Sequence, residues 1–314
     1  MRAAMLMKII TKANAQFFLL LNALFWGSSY IWSKMLLKLL PPFFILFICS
    51  ILGLLITVVL FKKHLKTFSK RNIAICILIS LVSVLSNTFC MLALTRTSSA
   101  NTAFIVQLSI VITPIIMSIL NRKAPTPKIV ISALLAMGGI YLITCYGKGL
   151  QVNLGDIFAL CNALCFSLYI ALQNKYLHEV NPIQFTFFQH ATNFVAFLSL
   201  ALVFETGSVS FWNSLSPLFF VLIGLNAIVI IFTSLFQSSA IKHVRPENAT
   251  VLYSFEPVTT ALLGAVILGE NFTGIPSILG CLIILFAVIV SSLKPPPIFR
   301  KRMAKLLLQI NTKV

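Results

Sequence analysis

The chain is 314 residues long, and 59% of its residues are hydrophobic whereas only 10% are charged. Its 24 basic and 6 acidic residues are too few to coat a soluble core of this apolarity, so the mean hydropathy of +1.01 excludes a water-soluble globular protein and indicates a polytopic membrane protein. The net charge of +18 does not indicate nucleic-acid binding, because the basic residues form short clusters between apolar spans with no aromatic platform beside them.

Apolar runs bounded by charged residues, prolines and glycines predict ten transmembrane helices, each of about 18 to 23 residues and so long enough to cross a hydrocarbon core of ~30 Å. The first five are predicted over Ala15–Met35, Pro42–Phe61, Ile73–Leu94, Ser99–Leu120 and Ile129–Tyr146. The second five are predicted over Gly155–Gln173, Pro182–Phe204, Pro217–Gln237, Glu247–Leu268 and Ile275–Leu293. The predicted fold class is therefore an all-α membrane protein with short loops.

The basic residues fall almost entirely on one side of the predicted spans. When the N-terminus is placed in the cytoplasm, 20 of the 24 lysine and arginine residues lie there, in agreement with the positive-inside rule. The four that fall outside are Lys34, Lys38, Arg96 and Lys148. Both ends of the chain are basic, so the number of crossings should be even. We predict a multi-pass protein of the inner membrane of a bacterium, or an equivalent membrane, with both termini in the cytoplasm.

Two terminal segments flank the spans. Residues 1–14 carry three basic residues and run directly into the first span, which is typical of a cytoplasmic N-terminal segment before an anchor and not of a cleavable signal. Residues 294–314 contain three consecutive prolines followed by a basic amphipathic stretch, which we expect to lie along the anionic inner leaflet. A regulatory role of this tail, for example as a calmodulin-type target, is the alternative.

The two halves of the chain resemble each other. The matching residues, at offsets of 140, 140 and 147 positions, are Asn22-Ala23-Leu24 with Asn162-Ala163-Leu164, Pro42 with Pro182, and Asn101 with Asn248. Each half holds five predicted spans, an odd number, so the second repeat, 155–293, should be inverted relative to the first, 15–147. Inverted repeats of this kind build transporters whose substrate site lies near the bilayer midplane between the halves.

One carboxylate, Glu256, lies in the middle of the ninth predicted span. An ionised group near the bilayer midplane costs at least ~2.5 to 3.5 kcal/mol, which favours a functional use. Pro257 follows it, and because proline has no N–H and displaces the carbonyl four residues earlier, the carbonyl of Tyr253 should be freed and the helix should bend. We interpret this region as the wall of a cavity. The alternative is a protonated Glu256 that only satisfies the carbonyl of Tyr253.

Polar residues recur at helical spacing in the first, third, fourth, sixth, eighth and ninth predicted spans, as expected where helices face one another or a water-filled path. In the first span, Asn22, Trp26 and Tyr30 share one face. The predicted cavity and substrate-binding residues are Trp26, Tyr30, Asn87, Gln107, Tyr169, Gln237, Tyr253 and Glu256. Hydrogen bonding between helices and, for Trp26, simple packing are the alternatives.

Three residues have predicted roles in motion or coupling. Pro257 and Pro114 are predicted hinges of the ninth and fourth spans, because each removes a helical hydrogen bond. Histidine exchanges protons near neutral pH, so His190 in the seventh span is a candidate to relay a proton to Glu256. A neutral His190 that hydrogen-bonds between helices is the more common arrangement.

Several short motifs occur in a fixed order over residues 15–293. They are Trp26-Gly27-Ser28, Lys34, Pro42, Gly155-Asp156, Glu256-Pro257, Leu268-Gly269-Glu270 and Gly280. This set resembles the EamA family of the drug/metabolite transporter superfamily. The resemblance implies ten helices in two inverted five-helix repeats, a central cavity lined mainly by helices 1, 3, 4, 6, 8 and 9, and export of amino acids or related metabolites. In helix 2 the chain departs from the family, because Ile48-Cys49-Ser50 stands where an arginine is common, and Gln189-His190 stands at the equivalent place in helix 7.

These features predict a secondary transporter that exports small polar metabolites, such as amino acids, by alternating access around a central cavity. The sequence has no nucleotide-binding motif, HExxH, GxSxG or cysteine-histidine cluster, so we expect no cofactor or metal. Transport should then depend on an ion gradient, on exchange or on the substrate's own gradient. The expected partners are a small-molecule substrate and the lipid bilayer, with the chain acting as a monomer or a homodimer.

Three other functions stay open at this point, the third and least expected of which is a channel or a structural scaffold. The first is an exchanger or importer of a nucleotide-like metabolite such as S-adenosylmethionine, which the superfamily resemblance also allows. The second is an intramembrane enzyme, which is a more distant alternative because one midplane acid cannot perform acid–base chemistry that needs two groups. An enzyme would modify its substrate without a solute gradient, whereas a transporter would move it unchanged.

Overall fold

The computed structural model describes residues 10–62, 65, 69–144, 153–205, 216–269 and 275–292. Three parts of the predictions lie outside the described residues. They are residues 1–9 of the predicted cytoplasmic segment 1–14, the basic tail 294–314, and Glu270 of the motif Leu268-Gly269-Glu270. The described residues are helical and contain no strand, which confirms the prediction of an all-α protein.

Ten helices, named α1 to α10, follow one another in the part of the chain that the structure describes. The first five are α1 Ala15–Leu36, α2 Pro42–Phe61, α3 Lys70–Arg96, α4 Ser99–Asn121 and α5 Pro127–Thr144. The second five are α6 Leu154–Tyr176, α7 Pro182–Phe204, α8 Pro217–Ala240, α9 Pro246–Leu268 and α10 Ile275–Ser292. A short 3₁₀ helix, Leu177–Glu179, follows α6.

Helices α4 and α9 are each interrupted near their middle. In α4 the break at Gln107 and Leu108 separates Ser99–Val106 from Ser109–Asn121. In α9 a turn at Ser254 separates Pro246–Tyr253 from Phe255–Leu263, and a π-helical turn, Gly264–Leu268, completes the helix. Gly269 ends α9 in the left-handed conformation, with φ +68°, which glycine adopts without a steric penalty.

Seven helices are long and apolar enough to cross a membrane: α2, α3, α4, α6, α7, α8 and α9. The apolar stretches of α5 and α10, Pro127–Leu142 and Ile278–Ser291, are shorter. α1 has 22 residues, ample length at ~1.5 Å per residue, but the polar residues on its face reduce its hydropathy. The number of ten crossings therefore stays a prediction.

Polar and apolar side chains are distributed in the opposite way to a soluble protein. Val59, Leu134 and Ile275 are 72%, 65% and 73% exposed on the outside of the bundle, whereas Asn22 and Gln107 are fully buried inside it. This distribution is expected for helices surrounded by hydrocarbon, where polar groups must be satisfied within the bundle. Together with the seven apolar spans, it indicates a multi-pass membrane protein.

The packing of the helices has matching contacts in the two halves. α1 packs on α8 and α9, and α6 packs in the same way on α3 and α4. α2 pairs with α7, and α5 pairs with α10. Helix starts also agree with the sequence offsets, since α2 and α7 begin at Pro42 and Pro182, and α4 and α9 begin at Ser99 and Pro246. Two groups, α1/α8/α9 and α3/α4/α6, thus face each other across the centre of the protein.

A carboxylate joins α7 to the first turn of α2. Glu205, the residue after α7, accepts hydrogen bonds from the backbone N–H groups of Phe43 (2.9 Å) and Phe44 (2.8 Å). The first N–H groups of a helix have no intrahelical acceptor and carry a partial positive charge, so a carboxylate is stabilising there. Burial raises the pKa of the Glu205 carboxyl, while the two N–H bonds act in the opposite direction.

The turn between α8 and α9 carries a lysine whose charge should make stability depend on pH. Lys242 donates a hydrogen bond to the carbonyl oxygen of Val180, and burial lowers the pKa of its ammonium group from 10.5 to about 8. The folded protein therefore holds this proton less tightly than the unfolded chain does. Its contribution to stability is complete above pH 10.5 and is lost as pH falls through about 8.

We expect the unfolding temperature of the wild type, measured in detergent relative to Lys242→Met, to rise as the pH is raised from about 8 to 10.5. Circular dichroism during thermal unfolding, in a series of buffers, measures this difference. Parallel pH profiles for the two proteins would show that Lys242 stays equally charged in the folded and unfolded states.

Candidate functional site

A cavity of about 130 Å³ lies at the centre of the bundle. Since roughly 10–15 Å³ of such space holds one water molecule, it has room for several waters or a small organic molecule. Its lining consists of Trp26, Ser29, Tyr30, Leu46, Ser50, Ser83, Ser86, Asn87, Cys90, Val106, Asn162, Phe166, Tyr169, Gln189, Asn193, Phe197, Ile230, Thr233, Ser234, Gln237 and Glu256. Hydroxyl, amide and aromatic groups therefore surround it on most sides.

The structure brings most of the predicted site residues together. Six of the eight line the cavity: Trp26, Tyr30, Asn87, Tyr169, Gln237 and Glu256. The other two, Gln107 and Tyr253, are fully buried and do not belong to the lining. They contact residues that do, so they form the layer immediately behind the cavity wall.

Glu256 lies in the first turn of the second segment of α9, with 3% of its surface exposed. Its carboxyl group interacts with the hydroxyl of Tyr30, and its Oε2 accepts a hydrogen bond of 3.3 Å from Nε2 of Gln107. Among the described residues that line the cavity, Glu256 is the only one with a carboxyl group, and none is lysine, arginine or histidine. Tyr30 and Gln107 are both neutral. Neither these two partners nor the described lining residues offer the carboxyl group an opposite charge.

The break in α9 exposes a backbone carbonyl that α4 satisfies. Pro257 has no N–H to offer the carbonyl of Tyr253, and this oxygen instead accepts a hydrogen bond of 2.9 Å from Nε2 of Gln107. The same amide reaches Glu256, so one side chain from the break in α4 holds both sides of the break in α9. Gln107, and not Glu256, satisfies the carbonyl of Tyr253 in this structure.

The two predicted hinge prolines occupy different places relative to the breaks. Pro257 lies in the first turn of the second segment of α9, three residues after the break at Ser254. Pro114 lies inside the second segment of α4, Ser109–Asn121, and the interruption at Gln107 and Leu108 comes about two turns earlier. The carbonyl oxygen of Pro114 accepts a hydrogen bond of 2.7 Å from Ser118.

We expect Pro257→Ala to slow the transport cycle more than it weakens substrate binding. The new N–H can bond to the carbonyl of Tyr253, so α9 can continue without its break and compete with Gln107. Maximal rate and binding affinity, measured separately in proteoliposomes and in detergent, test this. Pro246→Ala is the control, since proline at the first position of a helix costs no hydrogen bond. Equal losses in rate and affinity, or unchanged rate, would remove Pro257 as a hinge.

Trp26 lines the cavity and packs against two other aromatic rings. The Trp26 ring centroid lies 5.1 Å from that of Phe166, in an edge-to-face arrangement, and 5.2 Å from that of Tyr253. Such contacts contribute ~0.5–1.5 kcal/mol beyond burial and hold the rings in place. Trp26 thus both packs against its neighbours and lines the cavity. Packing and cavity lining, which are alternatives in the sequence analysis, therefore both apply to it.

Helix α7 contributes polar groups that sequence reasoning missed. Nε2 of Gln189 donates to the hydroxyl of Tyr169 (2.7 Å) and to that of Ser83 (3.1 Å), and Asn193 also lines the cavity. The i, i+4 spacing of Gln189 and Asn193 was the available signal. The family resemblance implies a cavity lined mainly by helices 1, 3, 4, 6, 8 and 9, and so it does not predict a contribution from α7. Leu46 and Ser50 of α2 belong to the lining as well.

His190 points to a different neighbour than the predicted relay requires. It is fully buried, and its Nδ1 would lie 2.8 Å from a Cβ placed on Gly53 of α2, so the ring packs against that helix. It does not belong to the cavity lining, and neither ring nitrogen has a hydrogen-bond partner among the described residues. The described contacts therefore do not connect His190 to Glu256.

Comparison with known proteins gives consistent matches. The sequence pattern of the EamA-like transporter family matches residues 13–145 and again residues 153–293. An uncharacterized transporter of Archaeoglobus fulgidus is 27% identical over 285 residues, covering 91% of this chain and 88% of that protein. The uncharacterized transporter YyaM of Bacillus subtilis is 22% identical over 222 residues, covering 67% of this chain and 71% of that protein.

A solved crystal structure of another protein has the same fold. It superposes with a TM-score of 0.75 and 16% sequence identity, and the match covers 90% of this chain and 99% of that chain. At this identity the likeness concerns the fold alone.

Proposed function

Because the chain belongs to the EamA-like transporter family, of the drug/metabolite transporter superfamily, we propose that it is a secondary transporter that exports small polar metabolites through its central cavity by alternating access. Amino acids and related amines are the proposed substrates. The names of the relatives support transport in general, and the cavity chemistry supports the narrower choice of substrate.

The observation that carries the proposal is the buried carboxyl of Glu256 at a cavity without a basic side chain among its described lining residues. A buried carboxylate is costly unless an opposite charge or a proton accompanies it. A substrate ammonium group, or a proton in its absence, supplies that partner. Trp26 and Phe166 line the same cavity, and aromatic rings can bind a cation.

The remaining polar lining suits the other end of an amino acid. Asn87, Asn162 and Asn193 carry amide groups that can donate hydrogen bonds to a carboxylate. Neutral donors bind a carboxylate less strongly than arginine does, so the site should depend more on the amine than on the carboxylate of its substrate. This favours amines and amino acids over phosphorylated metabolites, whose charges would need basic side chains.

The proposed topology has ten crossings in two inverted five-helix repeats, with both termini in the cytoplasm. It is supported by the distribution of basic residues and by the matched helix starts of the two halves. Reporter fusions after Lys148 and Glu205 should report the outer side of the membrane, and fusions after Arg71 and Lys242 should report the cytoplasm. Two or more reversed reporters would contradict this topology.

Counterflow in proteoliposomes tests the transport function. Purified protein is reconstituted, the vesicles are loaded in turn with amino acids, polyamines, S-adenosylmethionine and nucleosides, and uptake of the labelled compound is measured. We expect labelled amine or amino acid to accumulate transiently and to remain chemically unchanged. Accumulation of S-adenosylmethionine alone would support the nucleotide-like alternative, and chemical conversion without accumulation would support an enzyme.

A further inference from the structure

Two repeat-related side chains join the two helix groups at opposite ends of the cavity. Near the end of α1, Nζ of Lys34 donates to the carbonyl oxygens of Leu94 (2.6 Å) and Thr97 (2.7 Å) at the end of α3. We name this contact the outer joint. The last carbonyls of a helix have no intrahelical donor, so the ammonium group satisfies acceptors that the helix itself leaves open.

The second contact, the inner joint, has the same construction. Near the end of α6, Nδ2 of Asn174 donates to the carbonyl oxygens of Ile241 (2.8 Å) and Val244 (3.2 Å), which follow α8. Lys34 and Asn174 are separated by the offset of 140 positions that relates Pro42 to Pro182.

The acceptors of the two joints match as well. Leu94 and Thr97 are related to Ile241 and Val244 by the offset of 147 positions that relates Asn101 to Asn248. Donors and acceptors therefore correspond residue by residue, although the donor is a lysine in one half and an asparagine in the other. A geometry kept with different chemistry points to a shared task for the two joints.

Each joint lies one helical turn beyond the cavity. Lys34 and Leu94 each follow a lining residue, Tyr30 and Cys90, by four positions, which is about 6 Å along a helix. At the other end, Ile241 follows Gln237 by four positions and Asn174 follows Tyr169 by five. The two joints thus lie just beyond opposite ends of the cavity.

Both joints connect the same two groups of helices. Lys34 ties α1, which packs with α8 and α9, to the end of α3, and Asn174 ties α6, which packs with α3 and α4, to the end of α8. A bond of 2.8 Å between Nε2 of Gln237 and Oε1 of Gln173 adds a second contact beside the inner joint. Separation of the groups at one end would break the contacts at that end and leave the joint at the other end in place.

We propose that the outer and inner joints are the two gates of the transport cycle, and that Lys34 and Asn174 are the positioning residues that close them in turn. Opening toward the outside breaks the bonds of Lys34, and opening toward the cytoplasm breaks those of Asn174. The assignment of sides rests on the proposed function and topology. Both joints are formed in this structure.

Accessibility of Cys90 measures each gate. Cys90 is a free cysteine of the cavity lining, and in a protein whose other cysteines are replaced it reports access of a membrane-impermeant thiol reagent. Labelling is measured from outside in intact cells and from inside in inverted vesicles. The labelling assay needs no substrate, so its result is independent of the counterflow assay. Labelling can contradict the proposed gates while counterflow confirms transport, and counterflow can contradict transport while labelling supports the gates.

Removal of Lys34 and removal of Asn174 should change the accessibility of Cys90 in opposite directions. Lys34→Met should raise the labelling rate from outside about tenfold and lower it from inside, because loss of hydrogen bonds to a charged donor shifts an equilibrium by about this factor. Asn174→Leu should raise labelling from inside and lower it from outside. Lys38→Met and Asn121→Leu, at exposed residues of the same two ends, should leave both rates unchanged.

Exchange of the donors separates gating from general loosening of the fold. Lys34→Asn alone should raise outside labelling, and Lys34→Asn combined with Asn174→Lys should raise it further, because the charged donor then holds the inner gate. This pair also keeps the test decisive if Lys34→Met does not accumulate in the membrane. Equal changes from both sides, no change, or lower outside labelling in the double variant than in Lys34→Asn would overturn the proposal.

Discussion

Replacement of Glu256 by glutamine is expected to leave the protein in the membrane and to reduce transport of a cationic or amino-acid substrate on the order of 100-fold. Glutamine has the same shape and can keep the contacts with Tyr30 and Gln107, so folding should be preserved. It cannot offer a negative charge. Loss of one partner from a buried charge pair costs roughly 3–5 kcal/mol, which corresponds to a factor of 100 or more.

Glu247→Gln is the matched control. Glu247 is also a buried carboxylate of α9, but it pairs with Arg245 at 3.1 Å and does not line the cavity. The Arg245 side chain is 58% exposed, so this pair contributes little to stability. Counterflow should therefore stay close to wild type in Glu247→Gln and should lose its dependence on pH or on substrate charge in Glu256→Gln.

A wild-type rate for Glu256→Gln at every pH would mean that the acid only fills space between helices. Transport would then be uncoupled, and the amide and aromatic groups of the lining would have to bind the substrate without a charge. Membrane abundance and elution in size-exclusion chromatography show whether the variant is folded before its transport is interpreted.

The helix bounds follow closely from the sequence where the chain itself marks them. Pro42 and Pro182 begin α2 and α7 at the predicted residues, because proline fits the first turn of a helix and removes no bond there. α3 begins three residues earlier and ends two residues later than predicted. Hydropathy places a boundary at the first charge, but the helix continues, since long basic side chains can reach water from its ends.

The two helix breaks differ in how far the sequence predicts them. In α9, Pro257 removes a specific N–H, so the break and the freed carbonyl of Tyr253 can be placed in advance. In α4 the equivalent position holds Ile110, and the break at Gln107 accompanies the hydrogen bond of its side chain to another helix. A contact between segments 146 residues apart is not visible in local spacing.

The cavity residues show a similar limit of local reasoning. Helical spacing identifies a polar side chain that faces inward, but not whether it ends in open space or in packed protein. Tyr30 and Glu256 reach the cavity, whereas Gln107 and Tyr253 stop one layer behind it. Only the positions of neighbouring helices decide between the two, and these come from packing across the repeats.

Gly27→Ala is expected to destabilise the protein and to abolish transport, although it adds a single methyl group. α1 crosses α9 so closely that a Cβ on Gly27 would lie 2.5 Å from the carbonyl oxygen of Glu256 and 2.6 Å from Cβ of Thr259. The first obstacle is backbone, so no side-chain rotation relieves it. α1 must move away, and the hydrogen bond of 3.0 Å from Thr260 to the carbonyl of Gly27 should break.

This movement should affect the site more than the fold. Overpacking of this kind costs typically ~1–3 kcal/mol, measured as a lower unfolding temperature in detergent. Trp26 and Tyr30, on either side of Gly27 in α1, would shift their positions in the cavity lining, and a shift of about 1 Å at a site can cost on the order of 100-fold in rate. Transport should therefore fall further than the loss of folded protein explains.

Gly224→Ala and Gly138→Ala are controls for Gly27→Ala. They distinguish the effect of the close approach between α1 and α9 from the general effect of replacing glycine by alanine in a helix. Neither glycine has an atom within 4 Å of the added Cβ, and alanine favours a helix over glycine by ~1 kcal/mol, so both variants should be as stable as wild type or more stable. If Gly27→Ala matches these two controls in stability and in transport, α9 tolerates a wider crossing. The placement of Tyr30 against Glu256 would then not depend on the contact between the two backbones.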